Sequence, residues 1–359
     1  MDNNQAIPFN KENFKLIFSK EFALVIIISI PSAVFAEFFN IPLAWFLGPM
    51  LATSIASLFG LKIKMPKLVL SIILILLGLY IGNYIDKSLF SQIHQWAWTS
   101  FIMLIYIIIS VLVVSKYLQF FSKYEKKTSI FSAAPGALGP LMILAEDEKK
   151  TDLSQVATSH LIRLIIIITV FPFIVDSFYS GEILEDSEKI LEDQNIYHLV
   201  LLIMSSIILI IFFDKFKIPA ALLSGTLLAS GFLQIAEIAT YKLPPNIIDY
   251  CLLILGASVG CRFANKTFGE IANNAWHSFI ATFLLVILGL AAAFVASLVI
   301  DKNLFTLILS YCPGGIYEVA VIAIFFNLDP EFVSFHHIIR LLLILFIVPI
   351  LLKILEKKA

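Results

Sequence analysis

The sequence predicts an all-α integral membrane protein built from two homologous repeats, and three observations lead to this class. Of the 359 residues, 60% are hydrophobic and only 14% are charged, whereas a soluble domain is about half apolar and a quarter charged. Apolar runs that approach the roughly 20 residues of a membrane-spanning helix recur from one end of the chain to the other. The second half also repeats the motifs of the first half in the same order.

Twelve apolar segments follow one another, six in each half. In the first half they cover residues 22–39, 43–60, 68–84, 96–117, 129–145 and 156–178. In the second half they cover residues 197–213, 219–236, 245–261, 276–300, 304–326 and 332–355. An acidic stretch separates the halves. The predicted domains are therefore a first membrane repeat (22–178), an extramembrane linker (179–195) and a second membrane repeat (196–355).

The duplication is visible as paired motifs at one nearly constant offset along the chain. The pairs are IPLAWFLGPMLA from Ile41 with IPAALLSGTLLA from Ile218, LGLYIG from Leu77 with LGASVG from Leu255, SAAPGALGPLMILA from Ser132 with SYCPGGIYEVAVIA from Ser310, and HLIRL from His160 with HIIRL from His337. Chance matches would not keep one register over the whole chain. Internal repeats of this kind are a common building plan of secondary transporters.

The combination of these motifs resembles the AbrB-type bacterial membrane protein family. The shared pattern is IPxxxLxGxxLA, then an APGG-type stretch, then a helix with HxxR followed by proline, and it covers nearly the whole chain. The resemblance implies an integral inner-membrane protein of bacteria that acts as a transporter or as a regulator of gene expression. Family members carry conflicting labels, which include regulator and ammonia monooxygenase, and the resemblance names no substrate.

The fifth segment of each half decides the topology. If it spans the membrane, the two halves point the same way. If it re-enters, each half has about five spanning helices and the halves are inverted. With the N-terminus in the cytoplasm, the inverted arrangement puts more of the Lys and Arg residues on the cytoplasmic side, as the positive-inside rule requires. The sequence favours inverted repeats in the inner membrane with both termini in the cytoplasm, and the parallel arrangement stays open.

The same fifth segments are broken by proline and glycine. Pro135 and Gly136 interrupt the first, and Pro313, Gly314 and Gly315 interrupt the second. Proline removes a helix hydrogen bond, and glycine lets the backbone turn. Irregular backbone at membrane depth is tolerated only where it is buried in protein or lines a wet cavity. We therefore expect a central substrate-binding site at the breaks; the alternative is a proline kink that only shapes packing.

Two arginines lie inside apolar helices, each three residues after a histidine. Arg163 follows His160, and Arg340 follows His337, so each pair shares one helix face. An intramembrane arginine is costly and usually faces the protein interior. Arginine suits a carboxylate or phosphate, and histidine adds a titratable donor, so both pairs are candidate ligands of an anion. The alternatives are arginines that extend to the membrane interface and histidines that pack or form hydrogen bonds in the interior.

One acid lies in a broken segment. Glu318 follows the glycines of the second break, and Pro140 holds the matching position in the first half. Glu318 is predicted to pair with Arg340 or to carry a proton. A coupling role would then belong to one half only.

The predicted function is secondary transport or export of a small, anionic solute; the alternative is a membrane-embedded regulator that acts indirectly on gene expression. No Walker A pattern is present, so the chain encodes no ATP drive. The cysteines and histidines show no metal-type spacing, and we predict no enzyme activity, no metal and no cofactor. The expected partners are a small-molecule or ion substrate and the lipid bilayer, with a homodimer possible and no direct nucleic-acid partner.

Overall fold

The protein is all-helical in the part of the chain that the computed structural model describes. That part comprises residues 11–83, 85, 88–146, 148, 151–179, 195–239, 241, 243–264 and 268–356, and it contains helices and no strand. Apart from residues 179 and 195, the predicted linker 179–195 lies outside the described residues. The predicted all-α class is confirmed.

The helices follow the predicted segments closely. Those of the first half are α1 (Lys11–Ile17), α2 (Lys20–Phe38), α3 (Ala44–Leu58), α4 (Lys67–Gly82), α5 (Ser88–Phe121), α6 (Lys126–Ala133), α7 (Leu138–Glu146) and α8 (Leu153–Phe178). Those of the second half are α9 (Ile196–Lys215), α10 (Ala221–Ile235), α11 (Pro245–Cys261), α12 (Phe268–Ser297), α13 (Leu304–Tyr311), α14 (Ile316–Phe325) and α15 (Pro330–Glu356). The fifth predicted segment of each half divides into two short helices, α6 with α7 and α13 with α14.

Among the described residues, six helices are long and apolar enough to cross a membrane. They are α2, α5, α8, α9, α12 and α15, so the chain has the character of a multi-pass membrane protein. The apolar helices α3, α4, α10 and α11 have only 15 to 17 residues. A helix of that length is about 22 to 26 Å long. About five spanning helices were expected in each repeat. By length and composition, three helices in each half can span a membrane.

The chain forms two compact units, and each unit combines helices from both halves of the sequence. The first unit comprises residues 1–90, 176–267 and 324–331, and so contains α1–α4 and α9–α11. The second unit comprises residues 91–175, 268–323 and 332–359, and so contains most of α5–α8 and α12–α15. The predicted repeats 22–178 and 196–355 are divisions of the sequence and remain a prediction, because neither coincides with one compact unit.

In the first unit, glycines bring the backbones of neighbouring helices into contact. Gly256 of α11 lies against the carbonyl group of Phe46 in α3, so closely that a Cβ there would overlap the oxygen. Gly78 of α4 lies against α10, and a Cβ there would be 2.9 Å from the Leu223 oxygen. Small residues allow such close approach where helices pack within a membrane. The pairs α3 with α11 and α4 with α10 are the main contacts between the two halves in this unit.

The turns before α3 and α10 have the same backbone geometry. Asn40 and Lys217 both adopt left-handed conformations, with φ of 51° and 54°. Leu43 and Ala220, which follow shortly after them, do the same, with φ of 52° and 56°. Positive φ is uncommon for residues other than glycine. Its recurrence around both Ile-Pro motifs means that the two halves share local structure there as well as sequence.

We predict that Gly256→Ala destabilises the protein, because the added methyl group forces α3 and α11 apart. Overpacking of this kind costs about 1–3 kcal/mol. Thermal unfolding in detergent, followed by tryptophan fluorescence, measures the effect. Gly269→Ala in α12 is the matched control, since a Cβ there meets nothing within 4 Å. Equal melting temperatures for the two variants would contradict the close packing.

Candidate functional site

The predicted breaks are present in both halves. α6 ends at Ala133 and α7 begins at Leu138, so Pro135 and Gly136 lie between them. α13 ends at Tyr311 and α14 begins at Ile316, with Pro313, Gly314 and Gly315 between them. We call α6, residues 134–137 and α7 the first tip segment, and α13, residues 312–315 and α14 the second tip segment. Both breaks lie in the second unit and are buried, apart from a half-buried Gly315.

In the first tip segment, α6 runs in the same direction as α8. Near the start of both helices, the Asp152 N–H donates to Thr128 Oγ1 at 3.0 Å. Near the end of α6, Arg163 Nη1 donates to the Ala134 carbonyl oxygen at 2.5 Å. The contacting residues advance together along the two helices, which only parallel helices allow.

Because α7 connects these parallel helices, it must run back. Lys127 Nζ forms a salt bridge with Glu148 Oε2 at 2.6 Å, which joins the start of α6 to the residues that follow α7. A continuous helix over this stretch would hold the two ends about 30 Å apart. α6 has eight residues and α7 has nine. The chain therefore runs about 12–14 Å in one direction along α6 and about the same distance back along α7. It is a helical hairpin with the break at its tip.

The second tip segment repeats this arrangement. His337 Nε2 donates to the Leu309 carbonyl at 3.0 Å, and Arg340 Nη1 donates to the Cys312 carbonyl, so α13 and α15 run parallel. Lys302, just before α13, places its ammonium 5.8 Å from the ring centre of Phe332, near the start of α15. α14 therefore also returns to the side from which α13 entered.

The arginines bind the carbonyl groups that the breaks leave without helical partners. Arg163 is 2% exposed and donates to the carbonyls of Ala134 and Ser132, at 2.5 Å each. Arg340 is fully buried and donates to the carbonyls of Cys312 and of Gly314, the latter at 2.5 Å. Neither side chain extends to an interface. Each guanidinium caps the C-terminal end of a half-helix, where a positive charge is favourable.

The histidines extend the same caps. His160 Nε2 donates to the Phe131 carbonyl at 3.0 Å. His337 Nε2 donates to Leu309, and its Nδ1 lies 3.0 Å from Arg340 Nη2. Since a guanidinium has no acceptor, Nδ1 must accept this bond, which fixes His337 as the neutral Nε2–H tautomer. Both ring nitrogens of His337 are thus engaged, and His337 orients Arg340.

The two tips meet inside the second unit. Gly136 of the first tip lies against the guanidinium of Arg340 from the second half, and a Cβ there would be 2.9 Å from Nη2. Gly315 of the second tip lies against Leu164 of α8 from the first half, with 3.3 Å from such a Cβ to the Leu164 side chain. Arg163 binds the Ala134 carbonyl, two residues before Gly136, so both guanidiniums lie beside the first break. The predicted site residues of both halves are therefore brought to one region.

Several polar groups in this region take no part in the caps. Arg163 Nε and Arg340 Nε are both buried and have no hydrogen-bond partner, and the same is true of Ser132 Oγ. Glu318 is 1% exposed, and its carboxylate folds back against Gly315 of its own tip. Its pairing with Arg340 stays a prediction. Within the described part of the chain, no group of three His, Cys, Asp or Glu side chains could hold a metal ion.

Sequence reasoning missed two features of this region. One is the capping role of the His-x-x-Arg pairs, although the nearly equal spacing from break to arginine in both halves was a signal for it. The other is His336, whose Nδ1 donates to the Phe332 carbonyl at 2.9 Å and whose Nε2 lies 2.7 Å from Thr99 Oγ1. His336 has no counterpart in the first half, so the repeat gave no indication of its contact.

We predict that Arg163→Ala lowers stability far more than Arg262→Ala. The first substitution removes the arginine donors from two buried carbonyls. The Ala134 carbonyl keeps the Gly136 N–H at 3.0 Å, whereas the Ser132 carbonyl is left without a donor, at about 1–3 kcal/mol. Arg262 is half-buried and lies outside the tips. Thermal unfolding of the purified variants in detergent measures the difference. Equal losses for the two variants would contradict the capping role of Arg163.

Comparison with known proteins gives a consistent family. The family model described as "Transition state regulatory protein AbrB" matches residues 4–88 and 45–356. The chain is 23% identical over 291 residues to "Uncharacterized protein YhjN" of Bacillus subtilis, which covers 76% of this chain and 75% of that protein. It is 21% identical over 313 residues to "Putative regulator AbrB" of Escherichia coli, covering 85% and 88% respectively. With its family model matched over nearly the full length, the chain belongs to the AbrB family.

Proposed function

We propose that this protein is a secondary transporter of a small anionic solute across the bacterial inner membrane. One observation carries the proposal: two broken tip segments, one from each half, meet around Arg163 and Arg340 in the second unit. Re-entrant backbone at membrane depth is tolerated where it is buried in protein or lines a cavity, and transporters use such broken helices for solute sites.

The charges at the tips support an anion. Among the residues that the structure describes, the fully buried side chains with a formal charge are Arg163, Arg340 and Glu318, which leaves an excess of positive charge when all are ionised. The N-termini of α7 and α14 also begin at the tips, and helix N-termini attract negative charge. Each arginine keeps one buried N–H without an acceptor. An anionic solute supplies both the charge and the acceptors.

We further propose that the two repeats, 22–178 and 196–355, have inverted orientations. Inversion requires that equivalent helices run in opposite directions. α5 and α12 are equivalent by sequence, and their contacts support this: Tyr106 bonds to the Leu285 carbonyl at 3.4 Å, while Tyr117, later in α5, lies 3.1 Å from His277, earlier in α12. A re-entrant fifth segment supports it too, because each half then crosses the membrane an odd number of times. Both termini lie in the cytoplasm in this arrangement.

The inverted topology predicts that the two tip segments enter from opposite sides. In a variant without native cysteines, Lys127→Cys and Lys302→Cys are expected to react with a membrane-impermeant maleimide from opposite faces of right-side-out and inverted vesicles. Lys127 lies in the first turn of α6, and Lys302 lies just before α13. Labelling of both positions from the same face would contradict the inversion.

A regulatory role is the second candidate, and the printed name of the E. coli relative favours it. The two roles are compatible if a change in solute concentration alters gene expression indirectly. A deletion strain that changes expression without any change in solute content would favour regulation through a protein partner over transport.

A ligand screen tests the transport proposal. Purified protein is heated with small carboxylates, phosphates, amines and monovalent cations, since a ligand that binds the folded state raises its melting temperature. We expect anions to stabilise the wild type. We expect Arg340→Lys to weaken this response, because lysine keeps the charge but loses the planar fork, and Arg262→Lys to leave it intact. Stabilisation by no anion, or by amines and cations alone, would overturn an anionic solute.

A further inference from the structure

The two tips differ at many positions, and one of these differences concerns a carboxylate. In the second tip, Glu318 is the third residue of α14, and its Oε2 lies against Gly315, just before the helix. An acid at this helix position reaches back to the N–H groups of the first turn and complements the positive end of the helix. The N-terminus of α14 therefore already holds a carboxylate, supplied by the chain itself and 1% exposed.

The first tip has open space at the matching place. Pro140 stands where the second tip has Glu318. Beside it, Gly139 is exposed, and a Cβ there would meet nothing within 4 Å. The first N–H groups of a helix have no partner within the helix. Proline carries no N–H, so Leu138 and Gly139 supply the donors of this helix start.

A second observation points to a ligand at the first tip. The guanidinium of Arg340 lies flat on Gly136, two residues before α7, with Nη2 at 2.9 Å and Nε at 3.3 Å from the position of a Cβ. Arg340 is fully buried, and its Nε has no hydrogen-bond partner. Gly136 adopts a φ of 105°, a conformation that L side chains rarely adopt, so the close approach depends on glycine. A buried positive charge thus lies against Gly136, two residues before α7 begins.

We propose that the N-terminus of α7 binds the carboxylate group of the solute, in the place that Glu318 takes at the N-terminus of α14. The inference rests on the proposed function and narrows it to carboxylate-bearing solutes with one binding site per chain. The bound carboxylate accepts hydrogen bonds from the N–H groups of Leu138 and Gly139. With it in place, the two buried arginines face two carboxylates, one from the solute and one from the protein.

The substitution Pro140→Glu tests this assignment by giving the first tip the acid of the second. The side chain then occupies the place of the solute, and Pro140→Gln is the neutral control of nearly the same shape. Binding of sodium propionate to the purified full-length protein is measured by calorimetry and by thermal shift. We expect Pro140→Glu to raise the Kd of propionate about tenfold or more, because the solute loses one charge-assisted interaction. We expect Pro140→Gln to change this Kd little.

A second variant distinguishes a blocked site from misfolding as the cause of lost propionate binding. Gly139→Leu fills the open space without changing charge, and it is also expected to abolish propionate binding while the unliganded melting temperature stays near that of the wild type. If both variants bind propionate with the Kd of the wild type, the proposed location of the site is wrong. If phosphate binds the wild type and propionate does not, the carboxylate class is wrong and anion transport stands. If no anion binds, both proposals fail.

Discussion

The structure depends on the need to satisfy backbone carbonyl groups where a helix is broken inside an apolar protein. A break frees several carbonyls, and each would cost a few kcal/mol if it were buried without a donor. Arg163 and Arg340 supply two donors each to the carbonyls around the breaks, and His160 and His337 supply one each to the preceding turn. The arginines that looked out of place in apolar helices are what allows the chain to turn back inside the buried part of the second unit.

The same caps bury the positive charge that the proposed function uses to bind an anion. A guanidinium that binds carbonyl groups still carries a full positive charge, and both guanidiniums lie beside the first break. Glu318 offsets one of these charges at the second tip, whereas Pro140 offers none at the first. The two tips thus share their arginine caps and differ in charge at this position. The first tip therefore lacks a carboxylate at this position, and it has open space at Gly139, where the second tip has Tyr317.

Much of this arrangement could be predicted from the sequence, because it is encoded locally. Proline and glycine marked both breaks, and the constant offset between repeats identified the His-x-x-Arg pairs as members of one system. What the sequence could not provide depends on contacts between distant segments. The return of α7 is visible only through contacts such as Lys127 with Glu148 and Thr128 with Asp152. The tautomer of His337 is visible only through its two partners. The combination of helices from both halves into each compact unit also has no local signal, since the sequence of an apolar helix does not indicate which helices pack against it.

Solid-state NMR in lipid bilayers tests the capping interaction most directly. Cysteine is labelled with ¹³C at its carbonyl and arginine with ¹⁵N in its guanidinium, in the variant Arg262→Lys. This variant has three cysteines and two arginines, and the pair to be measured is Cys312 with Arg340. If Arg340 caps α13, the nitrogen-to-carbon distance is expected to be about 3.5–4 Å, as a hydrogen bond to that carbonyl requires. A distance beyond about 6 Å would exclude the hydrogen bond and contradict the claim that Arg340 caps the broken helix.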